Sequence, residues 1–423
     1  MTGSTPLARR LGTADAVWIG LASMIGAGIF SAFAPAAASA GGALLIALAI
    51  AAVVATTNAI SSASLAAQYP TSGGTYVYGR ERLGPWWGHL AGWSFVIGKT
   101  ASCAAMALTF AAYAVPQEWQ RPAAAVAMLV IGGVSVLGVT RTARVARILV
   151  LAVLAVLVFV VASGLGWAGR PSEAGDLVSG GSSVYGVLQA AGLLFFAFAG
   201  YARIATLGEE VRDPRRTIPR AILIALGAVL VIYAVVGATL VTVLGEGGLA
   251  GSSAPLAAVV ALTPWPDAVV VVRIGAAIAC LGALLALTAG VSRTALAMGR
   301  EGDLPRFLAG VSNRHGTPRN AELVVTAVVV VLVLTVDLRS AIGFSSFGVL
   351  LYYLVANLSA FTQDRGDRLA PRAVAVLGAV GCVVLAAALP VASVVGGLIV
   401  VALGLLVRLV AVRVRARSGE RSS

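Results

Sequence analysis

The stretch SMIGAGIF, residues 23–30, sits in the middle of an apolar run covering about 14–37. About 20 such residues are enough for a helix to cross a bilayer. Gly26 and Gly28 stand two apart at the midpoint of that run, and each glycine weakens a helix by about 1 kcal/mol relative to alanine. Backbone groups freed inside hydrocarbon find no water. A broken helix is therefore tolerated only where it is buried in protein or lines a cavity. The competing reading is close helix–helix packing through small residues.

The rest of the 423-residue chain supports a membrane setting. It is 59% hydrophobic and only 11% charged, against about 25% charged in soluble proteins. Twelve spans are expected, at about 14–37, 43–67, 87–114, 122–139, 145–167, 185–207, 220–244, 268–297, 321–336, 340–361, 372–390 and 393–412. Charge placement tests this division. With the N-terminus cytoplasmic, 24 of the 30 cations fall in inside segments, and the outside segments hold only Arg121, Arg170 and Arg339, with Arg273 just within an outer span end. That is the positive-inside pattern, and it puts both termini in the cytoplasm. The stretches at about 168–184 and 245–267 are rich in Gly, Ser and Pro and read as loops. Arg9 and Arg10 ahead of Ala38, Ser39 and Ala40 imitate a signal peptide, but the apolar region between them is too long for one.

Several classes are excluded. The net charge of +13 is dispersed between apolar runs and marks no nucleic-acid surface. Cys103, Cys280 and Cys382 lie inside apolar runs without metal spacing and read as small buried hydrophobes. His89 and His315 lie near span ends with no partner histidine or cysteine cluster, so neither a metal nor an organic cofactor is expected. With only these two histidines and no mid-span carboxylate, a membrane-embedded enzyme has no constellation to work with. A non-transporting sensor is disfavoured by the short basic tail. The remaining composition, 29 Arg to a single Lys, matches a GC-rich bacterial genome, and makes the exception, Lys99, conspicuous.

Three unusual features converge on one depth. Gly26–Gly28 mark the centre of span 1. FFAFAGYA, residues 195–202, gives span 6 a soft centre at Gly200, and Lys99 lies near the middle of span 3. A break exposes N–H groups at one half-helix, which suit a carboxylate, and C=O groups at the other, which suit an ammonium. Two broken helices make a receptor for a zwitterion. Spans 1 and 6 hold corresponding positions in a five-plus-five arrangement. Because five is odd, the second unit is inverted. The expected organisation is one membrane transport domain, 1–423, with a first five-helix repeat at 14–167, an inverted second at 185–361 and two appended helices at 372–412.

On these residues the chain resembles the amino acid–polyamine–organocation (APC) superfamily. The matching stretches are IGAGIF (25–30), QYPTSGGTYVYGRERLGPWWGHLAGW (68–93), FFAFAGYARIATLGEEVRDPRRTIPRAI (195–222) and SRTALAMGREGDLPRFLAGVSNRHGTPRNA (292–321). The resemblance implies an all-α polytopic membrane protein with a leucine-transporter-like inverted repeat, helices 1 and 6 broken. It implies transport of an amino acid or related amine. By that resemblance, amides around Ile25, Gly26, Ala27 and Gly28 hold the substrate carboxylate. Carbonyls near Phe198 and Ala199, beside Gly200, take the ammonium, and Phe196 matches a gating aromatic. GGTYVYGRERLG and EEVRDPRRTIP look like intracellular gating elements or, equally, interfacial anchors. The chain departs from many relatives in carrying Ala202 where they have an acid, and Val153 where some proton-coupled relatives have a lysine. The resemblance implies that Lys99 faces the substrate pocket.

A cation at the bilayer centre costs roughly 2.5–3.5 kcal/mol on insertion scales and marks function by default. Lys99 has three readings: it cycles its proton and replaces a structural sodium ion; it pairs with an anionic substrate; or it rests on backbone carbonyls. Ser102, Cys103 and Met106 share its helical face. Arg203 is expected to snorkel toward the inner interface and pair with Glu210. Thr288 and Ser292, or Ser345, Ser346 and Asn357, are candidates to line the pathway, with plain helix-backbone bonding the simpler account of each. The expected function is import of an L-amino acid across a bacterial cytoplasmic membrane by alternating access, coupled to protons. The alternative substrate is an acidic amino acid or other carboxylate.

Overall fold

The computed structural model describes residues 11–71, 73–138, 143–167, 183–312 and 316–419. Arg9, Arg10, Arg141, Arg170, Arg314, His315, Arg421 and most of the 168–184 loop lie outside them.

The first expected span is three pieces: α1 (Thr13–Met24), α2 (Ala27–Ser31) and α3 (Phe33–Ala40). The ladder stops where the sequence is weakest, with Gly26 at φ −80°, ψ −133°. Then α4 (Leu44–Gln68) crosses back, and a short amphipathic α5 (Thr75–Leu83) leads into α6 (Pro85–Ala114), opened by a proline at its first position. There a missing N–H costs nothing. Two further helices follow, α7 (Gln120–Val136) and α8 (Ala143–Leu165).

The sixth span begins as α9 (Val184–Phe198), capped by the Ser183 hydroxyl, which accepts from Gly186 N at 3.0 Å. It tightens into a 3₁₀ turn at Ala199–Tyr201 and ends as α10 (Ala202–Ala205). Its break is thus a tightened turn, milder than the interruption in span 1. The long α11 (Pro214–Ala250) starts at Pro214. The 245–267 stretch is not the loop its composition indicates. α11 kinks at Gly245, where φ is 65°, and a further helical stretch runs to Ala250; Pro255 starts α12 (Pro255–Ala261), whose Leu256, Val259 and Val260 are buried. Apolar side chains with a place to bury outweigh the flanking Gly and Ser. The chain closes with α13 (Val269–Arg300), α14 (Arg319–Thr335), α15 (Leu338–Phe361), α16 (Arg372–Ala388) and α17 (Val391–Gly419).

Among the described residues, ten helices are long and apolar enough to span a membrane. α14 and α16, at the expected ninth and eleventh positions, have 17 residues each, the lower limit for a spanning helix. Counting these two with the ten, the helices follow the order of the twelve expected spans.

Contacts between distant segments sort into two faces. On one, Leu11 pairs with the segment after α10: Leu11 N donates to Glu210 O at 3.1 Å and Arg212 N to Leu11 O at 2.9 Å. The same face holds Gln68 Nε2–Asp367 Oδ2 (2.8 Å), and Arg80–Glu301 (3.1 Å). Arg82 donates to the Thr362 hydroxyl there at 3.1 Å. On the other, Arg339 donates to Ser39 Oγ at 2.9 Å and Gln189 Oε1 at 3.0 Å, and Arg121 to Leu334 O at 2.9 Å. These pairings agree with the charge-based alternation. They also show that α1 starts on the face where α10 ends, so spans 1 and 6 run antiparallel.

A buried ion cluster ties the last helix to the first of these faces. Arg408 on α17 meets Asp303 at 2.6 Å and lies over the Trp86 ring at 4.9 Å. Tyr76 on α5 donates to the other Asp303 oxygen at 2.9 Å and accepts from Arg80 at 3.1 Å. Burial, followed by the nearby Asp303 charge, pushes the Tyr76 phenol well above its ordinary range, so it remains a donor. The GGTYVYGRERLG motif is therefore packed rather than merely interfacial.

The two broken spans touch at their weak points. A Cβ on Gly28 would sit 2.6 Å from Ala197 Cα, and one on Gly200 would overlap Ser23 O. Both glycines are required by close backbone approach. Because Ser23 O is backbone and cannot step aside, Gly200→Ala should cost on the order of 1–3 kcal/mol, as overpacking typically does. Gly227 lies within α11 and faces open space, so Gly227→Ala should leave the melting temperature unchanged or slightly raised. Thermal unfolding of the two purified variants in detergent checks this: Gly200→Ala melts several degrees lower, and equal melting temperatures would contradict the packing account.

Candidate functional site

A cavity of about 530 Å³ runs from the two breaks toward the face that carries α5. Its deep end is formed by Ser23, Met24 and Gly28 of span 1 and by Phe196, Ala197, Ala199 and Gly200 of span 6. Lys99, Ser102 and Met106 of α6 form one wall. They stand at i, i+3 and i+7, the spacing of a single helical face. α13 supplies the opposite wall as another stripe, from Ala283 through Leu287 and Gly290 to Arg293 and Ala297. Tyr76, Thr206 and Glu210 border the mouth. The contacts of Arg339 with Ser39 and Gln189 close the opposite face of the protein, and none of these three residues borders the cavity.

The backbone groups released at the breaks are met by side chains from neighbouring helices. Lys99 Nζ donates to Ala199 O at 3.1 Å. The same carbonyl accepts from Tyr353 OH of α15 at 3.3 Å. Both lone pairs of Ala199 O are thereby used. Tyr233 OH of α11 lies 2.6 Å from Met24 O, the last carbonyl of α1, and 3.0 Å from Ala197 O, so one phenol bridges both broken spans. Tyr113 OH donates to Phe30 O at 3.0 Å and accepts from Leu256 N at 3.3 Å. All these tyrosines are buried. An apolar ring with a polar tip is suited to this task.

Of the residues expected at the site, Gly28, Lys99, Phe196, Ala199 and Gly200 border the cavity, while Ile25, Gly26 and Phe198 do not. Ile25 and Phe198 are buried, the latter with its ring 5.0 Å from that of Tyr233. Gly26 is closed off by α13, since a Cβ on it would sit 2.7 Å from the Ala283 methyl. The backbone of Ala27 begins α2, between Gly26 and the cavity-lining Gly28.

Other expectations change. Arg203 does not pair with Glu210: among the described residues no ion pair within 4.0 Å involves it, and its Nη1 instead donates to Thr206 Oγ1 at 2.9 Å. Both Arg203 and Glu210 line the cavity. Thr288 bonds its own helix at Leu284 O (2.8 Å) and lies 3.9 Å from Cys103 Sγ. Ser345 meets Ser102 Oγ at 2.6 Å, and Asn357 donates to Asn58 Oδ1 at 2.6 Å. None of these, nor Ser292 or Ser346, borders the cavity. Ser345 and Asn357 join helices instead, while the Ser292 and Ser346 hydroxyls are buried without a hydrogen-bond partner among the described residues. The three cysteines are free and buried.

Some residues escaped the sequence reading. Arg293 is one, hidden among the cations assigned to an inside loop. Glu322 is another: it is buried between α14 and α7, where Ser135 Oγ donates to it at 2.8 Å. The tyrosine staples are a third group. Their signal was present, since Tyr113, Tyr233 and Tyr353 are phenols inside apolar spans, and each hydroxyl there needs a partner.

The family described as amino acid permease matches residues 11–409, nearly the whole chain. The chain belongs to the amino acid permease family. It is 56% identical over 398 residues to an uncharacterized transporter of Mycobacterium tuberculosis, covering 94% of this chain and 90% of that one. It is 25% identical to the branched-chain amino acid permease BcaP of Bacillus subtilis, over 75% of this chain and 72% of the relative. It is 27% identical to the chloroplastic cationic amino acid transporter 7 of Arabidopsis thaliana, over 82% and 64%. Permeases move solutes without converting them, so the protein is a multi-pass membrane transporter and not an enzyme.

The bridging phenol supplies a direct check on this permease. Tyr233→Phe removes one hydroxyl and leaves buried carbonyls of both broken spans without their donor. A buried polar group left unsatisfied costs about 1–3 kcal/mol. The variant should unfold at a lower temperature than wild type in detergent. An unchanged melting temperature would mean that water replaces the phenol.

Proposed function

We propose that this permease imports an L-amino acid across the bacterial cytoplasmic membrane by alternating access, coupled to protons. The observation that carries the reading is the junction at the cavity's deep end, where Lys99 Nζ meets the Ala199 carbonyl of the span 6 turn. In the proposed cycle the amides that open α2, at Ala27 and Gly28, receive the substrate carboxylate in place of the wider Ile25–Gly28 set, since the Ile25 amide is bonded to Leu21 O, and Phe196 shields the bound substrate. The two repeats, 14–167 and 185–361, exchange access around this level, with 372–412 appended. The positive-inside charge pattern supports a cytoplasmic position for both termini, so the cavity mouth faces the cytoplasm.

Lys99 is the coupling group in this reading. Its ammonium provides a fixed cation at the junction without a bound metal ion. Release of its proton on the cytoplasmic side frees Ala199 O and loosens the contact between α6 and the span 6 turn. A coupling group of this kind links accumulation to the proton gradient without being needed for exchange.

Uptake of radiolabelled amino acid into proteoliposomes, with and without an inward proton gradient, tests the proposal. Wild type should accumulate substrate severalfold over its equilibrium level only with the gradient. Lys99→Ala should still exchange labelled for unlabelled substrate but should lose accumulation. Accumulation by the variant equal to wild type would remove Lys99 from coupling. Absence of amino acid flux from wild type under all gradients would defeat the transport reading itself.

A further inference from the structure

The cavity's charge has a definite sign. Three cationic side chains border it, Lys99 at the deep end, Arg203 below the span 6 turn and Arg293 on the α13 wall, against one carboxylate, Glu210. Arg203 stands four residues past Ala199, about 6 Å farther along the helix axis. One Arg203 nitrogen donates to Thr206, and its guanidinium carries five donors, so others remain for a ligand. Arg293 has no hydrogen bond or ion pair among the described residues. It lies about 15 Å below Ala283 on the same stripe of α13. Helical side chains tilt toward their own N-terminus, which inclines Arg293 back up toward the junction.

The junction itself offers little to a substrate cation. Ala199 O is taken by Lys99 and Tyr353, and the single Tyr233 proton is shared between Met24 O at 2.6 Å and Ala197 O at 3.0 Å. What remains are donors. These are the amides that open α2, the unused protons of the Lys99 ammonium, and the Arg203 guanidinium one turn below. A neutral amino acid would leave three cations against the single Glu210 carboxylate in a confined space, where unpaired charge is costly. A cationic one would add a like charge to them.

We propose that the substrate of this site is a net anion with two carboxylates, one received by the span 1 amides beside Lys99 and the other by Arg203. Arg293 attracts it to the mouth. This rests on the transport reading above and names its substrate class. It also couples naturally to a proton on Lys99, since the anion binds best when that ammonium is charged. The shared chemistry is the dicarboxylate. Acidic amino acids and dicarboxylic acids without an amine both carry it.

The test is binding to purified wild type in detergent, by thermal stabilisation and then by displacement of the best radiolabelled ligand. The panel is the twenty L-amino acids plus succinate and glutarate. The decisive pair is L-glutamate and L-glutamine, which match in shape and differ by one charge. Glutamate should bind at least tenfold more tightly. Stabilisation by glutarate equal to that by glutamate would identify a dicarboxylate that needs no amine; glutamate alone would identify an acidic amino acid. Arg203→Gln should weaken the dicarboxylate at least tenfold, Arg293→Gln about two- to fivefold, with the loss shrinking at high salt. Glutamine binding as tightly as glutamate, or wild-type affinity in Arg203→Gln, overturns the proposal. The wild-type comparison stands even where a variant fails to fold. If a neutral or cationic amino acid alone stabilises the protein, this inference fails and the transport reading survives. If no amino acid and no dicarboxylate does, both fail.

Discussion

A helix that interrupts its hydrogen-bond ladder inside a membrane must have its freed donors and acceptors met by protein. Two helices do so here, and they do it against each other. Gly28 lets span 1 reach the backbone at Ala197, and Gly200 lets span 6 reach the backbone at Ser23. The polar groups released at this contact are then met from three surrounding helices, by Lys99 on α6, Tyr233 on α11 and Tyr353 on α15. The cavity exists because the remaining donors open onto it rather than onto lipid.

That constraint explains the unusual placement of polar residues elsewhere. A bilayer interior offers helices no hydrophobic drive to associate, so close packing and interhelical hydrogen bonds hold them together. Ser102 with Ser345, Asn58 with Asn357, and Ser135 with Glu322 each join two helices. Of these six residues only Ser102 also borders the cavity. The side chains that do enter are mostly small or apolar, apart from the cations and Glu210.

Much of the fold was legible in the sequence. The weak centres at Gly26–Gly28 and Gly200, the alternating arginine clusters and the lone Lys99 each carry a physical meaning that one sequence exposes. What was not legible were features set by partners distant in the chain. Serine and threonine at mid-span look alike whether they face a cavity or a neighbouring helix, so Ser345, Ser346 and Asn357 stay open between pathway and packing on sequence alone, with packing the simpler account; none of them borders the cavity. For Arg203 the local spacing offers snorkelling and a partner in Glu210; the hydrogen bond it makes is to Thr206. Arg293 was counted as one more inside cation, and only the course of α13 brings it to the cavity. Gly245 does mark a break, the kink of α11, but the helical turns beyond it and α12 were hidden by Gly, Ser and Pro, which mark loops only when no buried surface awaits the residues between them.

The short backbone pairing of Leu11 with the Glu210–Arg212 segment has mechanical weight. It yokes the lower half of span 1 to the lower half of span 6 by two main-chain hydrogen bonds, which among side-chain substitutions only a proline at Leu11 or Arg212 would remove directly. The two half-helices below the breaks therefore form a single lever. Any rotation that narrows or widens the cavity mouth has to carry both arms together, with the tightened turn at Ala199–Tyr201 and the interruption at Gly26 serving as paired fulcrums at the same height.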